Sequence, residues 1–345
     1  MTLVLRACAA VLAIAVLTVP ALAQVIAPAG PTLAAVRERG YLICGTTDPL
    51  PGFAQVNSDG LWVGFDVDFC RAVATAVFGD PGALEFRALS GNGRFALLQN
   101  GEIDVMARNA PWTMRRDTTY DARYLTGLFY DGQAFLVPQA LGIVSAYQLE
   151  NVRICVLDDG DEQRELQEFA FQTQANFDEV HYEAREDLAT AYRQGLCEAV
   201  SAPASWLNAM RRGLPDPQVH RILPERISQS VFGPVVRADD DQWMEIVQWT
   251  AYALINAEAA GVTSLNIQSL SAAKTHRIRR LLGLEGSFGP AIGLQPTFMR
   301  NVIAAVGNYG EIFNRNFGTG TGAGMARGLN ALWLNGGLIY APNIE

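Results

Sequence analysis

Short apolar runs of strand length alternate with helical patterns along most of this chain, and that alternation limits it to an α/β architecture with mostly parallel sheets. Residues 42–45 form an apolar run before a helix over 66–78. Residues 84–88 precede a helix over 94–100, and 103–107 form another short strand before the polar loop 108–117. An extended segment follows at 133–138, Gln-Ala-Phe-Leu-Val-Pro, and there the composition shifts. A second βα unit then opens at 154–157 with its helix over 163–171, and the rhythm continues through 180–183, 188–193 and 197–201. A second extended segment, 229–236, precedes a long amphipathic helix over 241–258 carrying Trp243, Ile246, Val247, Trp249, Tyr252 and Leu254. Two extended segments so far apart predict a two-strand hinge near 134–138 and 230–235. One lobe is then built from both ends of the chain, 24–133 with 236–345, and the other from 139–229.

The first 23 residues are excluded from the fold. Arg6 gives a basic start, residues 11–19 are an apolar run too short for a membrane span, and Ala21-Leu22-Ala23 fits a small-residue cleavage site. Export to the periplasm after cleavage at Ala23 is the expectation. Cys8 precedes the apolar run, which is the wrong side for a lipoprotein cysteine. The 345 residues are 50% hydrophobic and 18% charged, so two domains with sizeable cores are within reach. Losing Arg6 and no acid makes the net charge of −9 one unit more negative, which argues against a nucleic-acid partner. Four cysteines remain, and an exported chain permits their oxidation. The expected pairs are Cys44–Cys70 and Cys155–Cys197, each joining neighbours in sequence; four buried thiols are the alternative. No Cys-x-x-Cys is present and the histidines at 181, 220 and 276 stand alone, so no metal site is expected.

In the segment Gly64-Phe65-Asp66-Val67-Asp68-Phe69-Cys70, glycine breaks the preceding run. Asp66 is positioned to cap a helix and Asp68 adds charge at its positive end. Phe65, Phe69, Val73 and Val77 share one face. The glycine-rich run at 318–324 lacks the lysine of a phosphate loop and the third glycine of a dinucleotide fingerprint, and reads as a turn.

The Gly64 segment resembles the signature of the family 3 bacterial extracellular solute-binding proteins. Many dispersed stretches resemble one branch of that family, the general L-amino-acid-binding proteins. They include Leu50-Pro51-Gly52-Phe53, Arg94-Phe95, Arg108-Asn109, Trp112-Thr113, Tyr130-Asp131-Gly132-Gln133, Gly233-Pro234-Val235-Val236-Arg237 and Ala326-Arg327-Gly328-Leu329-Asn330. The resemblance implies a type II periplasmic binding protein fold, two α/β lobes closing over a small ligand. It also implies an inner-membrane ABC permease with its ATPase as partners, a monomer, no cofactor and no enzymatic activity. A free amino acid needs a guanidinium or backbone donors for its carboxylate and a carboxylate for its ammonium. Arg116 matches the family's carboxylate-binding arginine, with a surface arginine as the alternative. Asn109 matches a polar position in the same loop, and Arg94 one at the start of a helix facing the cleft. Leu50, Phe53 and Trp112 fit either apolar walls or ordinary core.

The pattern then departs from the branch. Ala110 and Pro111 replace two threonines, and Pro111 has no N–H to donate. Asp158-Asp159-Gly160-Asp161-Glu162 replaces a hydroxyl-rich helix entry, and Pro203 stands where the family has its ammonium-binding aspartate. Asp161 and Glu162 are the candidates to take over the ammonium; a well-capped helix start is the alternative. The expected function is a periplasmic receptor for a small amino acid or related amine, with an altered pocket. The alternatives are a cyclohexadienyl-dehydratase-like enzyme using Glu162 or Asp161 as acid or base, and a ligand-poor interaction or sensor protein.

Overall fold

Leu42–Thr47 is buried along its whole length, as a strand covered by helices on both faces must be. This is β1 of a computed structural model that describes residues 26–47, 49–89, 93–158, 160–321 and 324–345. The expected leader with its cleavage site, and Cys8, lie outside those residues. Strands β2 (Gln55–Val56) and β3 (Trp62–Val63) make a small hairpin, and β4 (Leu84–Leu89), β5 (Val105–Met106) and β6 (Ala122–Tyr124) follow. Then come β7 (Phe129–Asp131), β8 (Gln133–Pro138), β9 (Arg153–Leu157), β10 (Asp178–Tyr182) and β11 (Ala199–Pro203). The last three strands are β12 (His220–Ile222), β13 (Ser230–Phe232) and β14 (Val235–Arg237).

These strands build two five-stranded sheets, ordered β4-β1-β5-β14-β6 and β10-β9-β11-β8-β12. In each, the first three strands run parallel and the fourth is antiparallel to both its neighbours. The repeated order makes this a type II periplasmic binding protein fold. The chain leaves the first sheet after β6 and returns to it only at β14. On the way it forms an antiparallel ribbon, β7 with β13. The crossing expected at 134–138 is displaced: those residues belong to β8, whose two edges are both committed to ladders inside the second sheet. The ribbon lies just before them.

The helices are α1 (Pro31–Arg39), α2 (Phe65–Phe78), α3 (Arg94–Gln99), α4 (Met114–Thr119), α5 (Asp161–Thr173) and α6 (Arg185–Arg193). They continue with α7 (Ala204–Arg212), α8 (Asp241–Ala259), α9 (His276–Leu281), α10 (Phe288–Ala291), α11 (Phe298–Val306) and α12 (Tyr309–Phe317). Among the described residues no helix is long and apolar enough to cross a membrane. The glycine run at 318–324 starts at the C-cap of α12, and residues 322–323 lie outside the described part.

Asp66 does not cap α2. The N-cap is Gly64, with φ of 141°, and no side chain caps the helix. A Cβ on Gly64 would lie 2.0 Å from the carbonyl oxygen of Phe53, so the close approach of two backbones decides this residue. Asp68 has a different task from neutralising the helix dipole. Its Oδ2 accepts from Arg315 Nε at 3.0 Å and from Asn316 Nδ2 at 2.8 Å, which ties α2 to α12. Cys44 in β1 is bonded to Cys70 in α2, and Cys155 in β9 to Cys197 just before β11, so each bridge pins a strand of one sheet to the segment packed beside it.

The C-terminal segment closes over the ribbon. Phe53 meets Phe129, Phe232 and Phe317 edge-to-face with centroids 4.8–5.9 Å apart, and Phe129 meets Phe317 in a tilted contact at 4.7 Å. The Tyr309 hydroxyl donates to the carbonyl of Leu128 at 2.9 Å. The Asn330 side-chain amide takes both backbone groups of Tyr130, accepting from its N–H at 2.7 Å and donating to its carbonyl at 2.9 Å.

Candidate functional site

In open α/β sheets, ligand sites form beyond the carboxyl ends of the strands where the strand order reverses. Both sheets have such a point, and both point into one cleft of about 560 Å³. From the first sheet, the segment after β1 supplies Leu50, the segment after β4 leads to Arg94, and the loop after β5 supplies Arg108 and Asn109. From the second, the end of β9 supplies Asp158, Asp161, Glu162 and Glu165, the end of β10 supplies Arg185, and β11 ends in Pro203. Ser228, Ser230 and Phe232 close the side nearest the ribbon.

The wall belonging to the first sheet is cationic. Arg94 lies over the ring of Phe95, with its guanidinium carbon 5.3 Å from the centroid. Burial, and then the neighbouring Arg116 charge, lower its pKa. Arg108 donates from Nη1 to the carbonyl of Leu89 at 2.7 Å, which fixes it at the end of β4. Arg116 is not itself a wall residue. It sits in α4, where its Nη1 donates to the carbonyl of Pro111 at 2.9 Å and its Nη2 lies 3.7 Å from Asp161 Oδ2 on the opposite wall. Pro111 therefore loses a donor relative to the branch pattern, and its carbonyl positions the arginine.

Trp112 does not form an apolar wall. It is half-buried, stacks on Tyr124 at 5.6 Å against the core of the first sheet, and donates its backbone N–H to the carbonyl of Val231 in β13. Phe53 likewise belongs to the core, and Leu50 is the residue of that loop that reaches the cleft. Burial pushes the Tyr124 hydroxyl up to about 12, so it stays a neutral donor to the carbonyl of Pro111.

The opposite wall is acidic but braced by arginines. Glu162 is ion-paired with Arg185, whose guanidinium also lies 4.8 Å over the ring of Trp206. Burial raises the pKa of Glu162, and Arg185 works against that shift. Gln133 holds this corner by donating from Nε2 to the carbonyl of Glu162 and to Ser201 Oγ, both at 2.8 Å. Asp161 is paired with Arg164 as well as Arg116. Asp131 belongs to the matching stretch Tyr130–Gln133 but is turned inward. It is buried against Ser205 Oγ at 2.5 Å, and burial raises its pKa. No carboxylate replaces the missing one at Pro203 itself. Asp161 and Glu162 lie one strand away, at the end of β9.

Of the residues expected from the sequence to bind a ligand, Leu50, Arg94, Asn109, Asp161 and Glu162 line the cleft, and so do Arg108, Glu165 and Arg185, which the sequence did not single out. Arg185 carried a usable signal, since it opens a helix directly after a strand of a parallel unit. His181, alone in sequence, lies 3.6 Å from Asp158 and 3.5 Å from Glu179. Among the described residues no group of three or more His, Cys, Asp or Glu is placed to hold a metal.

Asp66 lies buried near Arg108, with Oδ2 lacking any hydrogen-bond partner. Burial pushes its carboxyl from 3.8 up to about 7, although Arg108 partly opposes this. The folded chain holds that proton to higher pH than the unfolded chain does. Stability from this group is thus greatest at low pH and is lost as pH rises toward 7. Asp66→Asn removes the dependence. The variant's thermal midpoint is expected to gain on the wild type between pH 5 and pH 8; a constant difference between the two would refute the account.

Residues 42–260 match the family described as bacterial extracellular solute-binding proteins, family 3. The general L-amino acid-binding periplasmic protein AapJ of Rhizobium johnstonii is 43% identical over 316 residues, covering 91% of this chain and 93% of that protein. The glutamate/glutamine/aspartate/asparagine-binding protein BztA of Rhodobacter capsulatus is 42% identical, covering 90% and 92%. An ABC transporter periplasmic binding protein from Brucella ovis, solved with glutathione bound, superposes with a TM-score of 0.85 at 40% identity, covering 92% of this chain and all of that one.

Proposed function

The chain belongs to the bacterial extracellular solute-binding proteins of family 3, and on that premise we propose that it is the periplasmic receptor of an amino-acid ABC importer. Its ligand is an amino acid, a related amine or a compound built from amino acids, such as the glutathione bound by the Brucella relative. The observation that carries this reading is the opposition of charges across a single cleft. Arg94 and Arg108, with Arg116 at the edge, face Asp158, Asp161, Glu162 and Glu165. A zwitterion spans such a cleft with its carboxylate on the arginine side and its ammonium on the acidic side. Each charge thereby regains the partner it loses with its water. Asn109 adds a polar contact and Leu50 an apolar one.

The mechanism is closure. Each sheet with its helices forms a lobe, and the two chain crossings at 125–132 and 223–234, with the β7–β13 ribbon between them, act as the hinge. Ligand contacts from both lobes favour the closed form by their differential affinity for it. The closed monomer then docks on an inner-membrane permease served by an ATPase, after export directed by a leader cleaved behind Ala23. No catalytic role is assigned to Asp161 or Glu162. Both are ion-paired with arginines, and general acid–base work needs a group free to exchange its proton with substrate. The relatives described above are binding proteins as well.

Thermal unfolding of the mature chain against a panel of amino acids, amines and glutathione tests this. A true ligand at a hundred times its Kd adds about 2.7 kcal/mol to stability, a readily measured rise in midpoint. A flat response across the whole panel would sink the proposal.

A further inference from the structure

A receptor for neutral amino acids needs one carboxylate anchor, and this cleft has cationic groups on both walls. We infer that Arg185 is a second carboxylate anchor, and that the cleft takes a short peptide bearing one ammonium and two carboxylates rather than a lone amino acid. This rests on the receptor reading above and specifies its ligand class.

Three observations converge on Arg185. Its guanidinium is held in place from two sides, by the ion pair with Glu162 and by the face of Trp206 at 4.8 Å. Held in this way, it still has Nη1 buried without a hydrogen-bond partner, and Glu162 Oε2 beside it is orphaned too. A guanidinium offers a fork of donors suited to a carboxylate, and a buried donor left unpaired is unfavourable until an acceptor reaches it. A ligand carboxylate entering at this corner supplies that acceptor after a small turn of the guanidinium. A neighbouring ammonium would satisfy Glu162.

The third observation is size. At about 30 Å³ per water-sized unit, a cleft of about 560 Å³ holds on the order of twenty heavy atoms. One glutamate fills roughly half of that by the same measure. Arg185 also lines a groove of about 280 Å³ running between α6 and α7 past Ala189, Trp206 and Met210. A ligand that reaches Arg185 while keeping a carboxylate on the Arg94 and Arg108 wall spans the cleft from side to side.

Calorimetry on the mature chain with γ-glutamylglycine, its C-terminal amide and glutamate tests the assignment. The free acid is expected to bind at least tenfold tighter than either the amide or glutamate. Arg185→Met is expected to reduce affinity for the acid at least tenfold and to leave the amide within twofold, so that the preference for the acid collapses. Arg185→Lys, which keeps the charge but not the fork, should fall between the two. Equal binding of acid and amide by the wild type overturns the inference, and that comparison needs no variant to fold. So does glutamate binding tightest, or an equal loss for all ligands in Arg185→Met. Glutamate binding without the peptide leaves the receptor reading standing while removing this one; binding of none of the three removes this one, and the receptor reading then falls only if the wider panel is flat as well.

Discussion

Arg116→Ala is expected to weaken binding of any carboxylate ligand by about 2–3 kcal/mol, roughly thirtyfold to 150-fold in Kd. The reason lies in how the residue is held. The carbonyl of Pro111 takes one of its nitrogens, and the other points across the cleft mouth toward Asp161. Its guanidinium is therefore pre-ordered at a point where the two walls approach, and a carboxylate entering there meets a donor that loses little further freedom. Removing it also leaves Arg94 without the like charge that lowers its pKa, which does not restore the lost fork. Arg116→Lys should recover part of the loss through charge alone. Titration calorimetry with the best ligand of the panel decides the matter: unchanged affinity in the alanine variant means that the carboxylate sits elsewhere. A ligand lacking a carboxylate should be indifferent to the substitution.

Phe53→Ala is expected to be the most destabilising of the single changes considered, by about 3–5 kcal/mol. The ring is almost fully buried and touches Phe129 of β7, Phe232 of β13 and Phe317 of α12. Truncation removes the transfer free energy of the ring and opens a cavity among groups fixed by the ribbon and by α12, which limits collapse around it. The measurement is the midpoint of urea unfolding of the ligand-free chain. A shift equivalent to less than about 1 kcal/mol would show that the surrounding rings close the gap. Phe53→Leu, which keeps most of the volume, should cost much less.

The fold was more legible than the site, and particular residues show why. Residues 134–137 are an unbroken apolar run closed by proline, which has few solutions other than an extended one, and β8 spans 133–138. Their place in the second sheet was not legible, since strand pairing depends on partners at 199–203 and 220–222. The run 103–107 yielded only Val105–Met106 as strand, because β14 reaches it at a single pair, Val235 with Met106. At the N-terminus of α2 the rule that acids cap helices favours Asp66, but a backbone approach to Phe53 requires glycine two residues earlier. Within the site, Asn109, Asp161 and Glu162 are legible from the loops that carry them, while Arg108 and Glu165 beside them are not. Arg185 was not, because its value comes from Glu162 and Trp206, which are distant in sequence and adjacent only in space.

The grip of Asn330 on Tyr130 has a consequence for the order in which the molecule assembles. The second sheet is drawn from one continuous stretch, β8 to β12, and needs no residue outside it. The first sheet waits for β14, and the outer edge of β7 is satisfied only when a side chain 200 positions further along arrives. Closing loops of that length is the slow part of folding. A chain delivered from its amino end would therefore complete its middle portion first. Until the final residues are delivered, the strand that joins the two halves keeps an open edge, the feature through which partly folded sheets pair with one another.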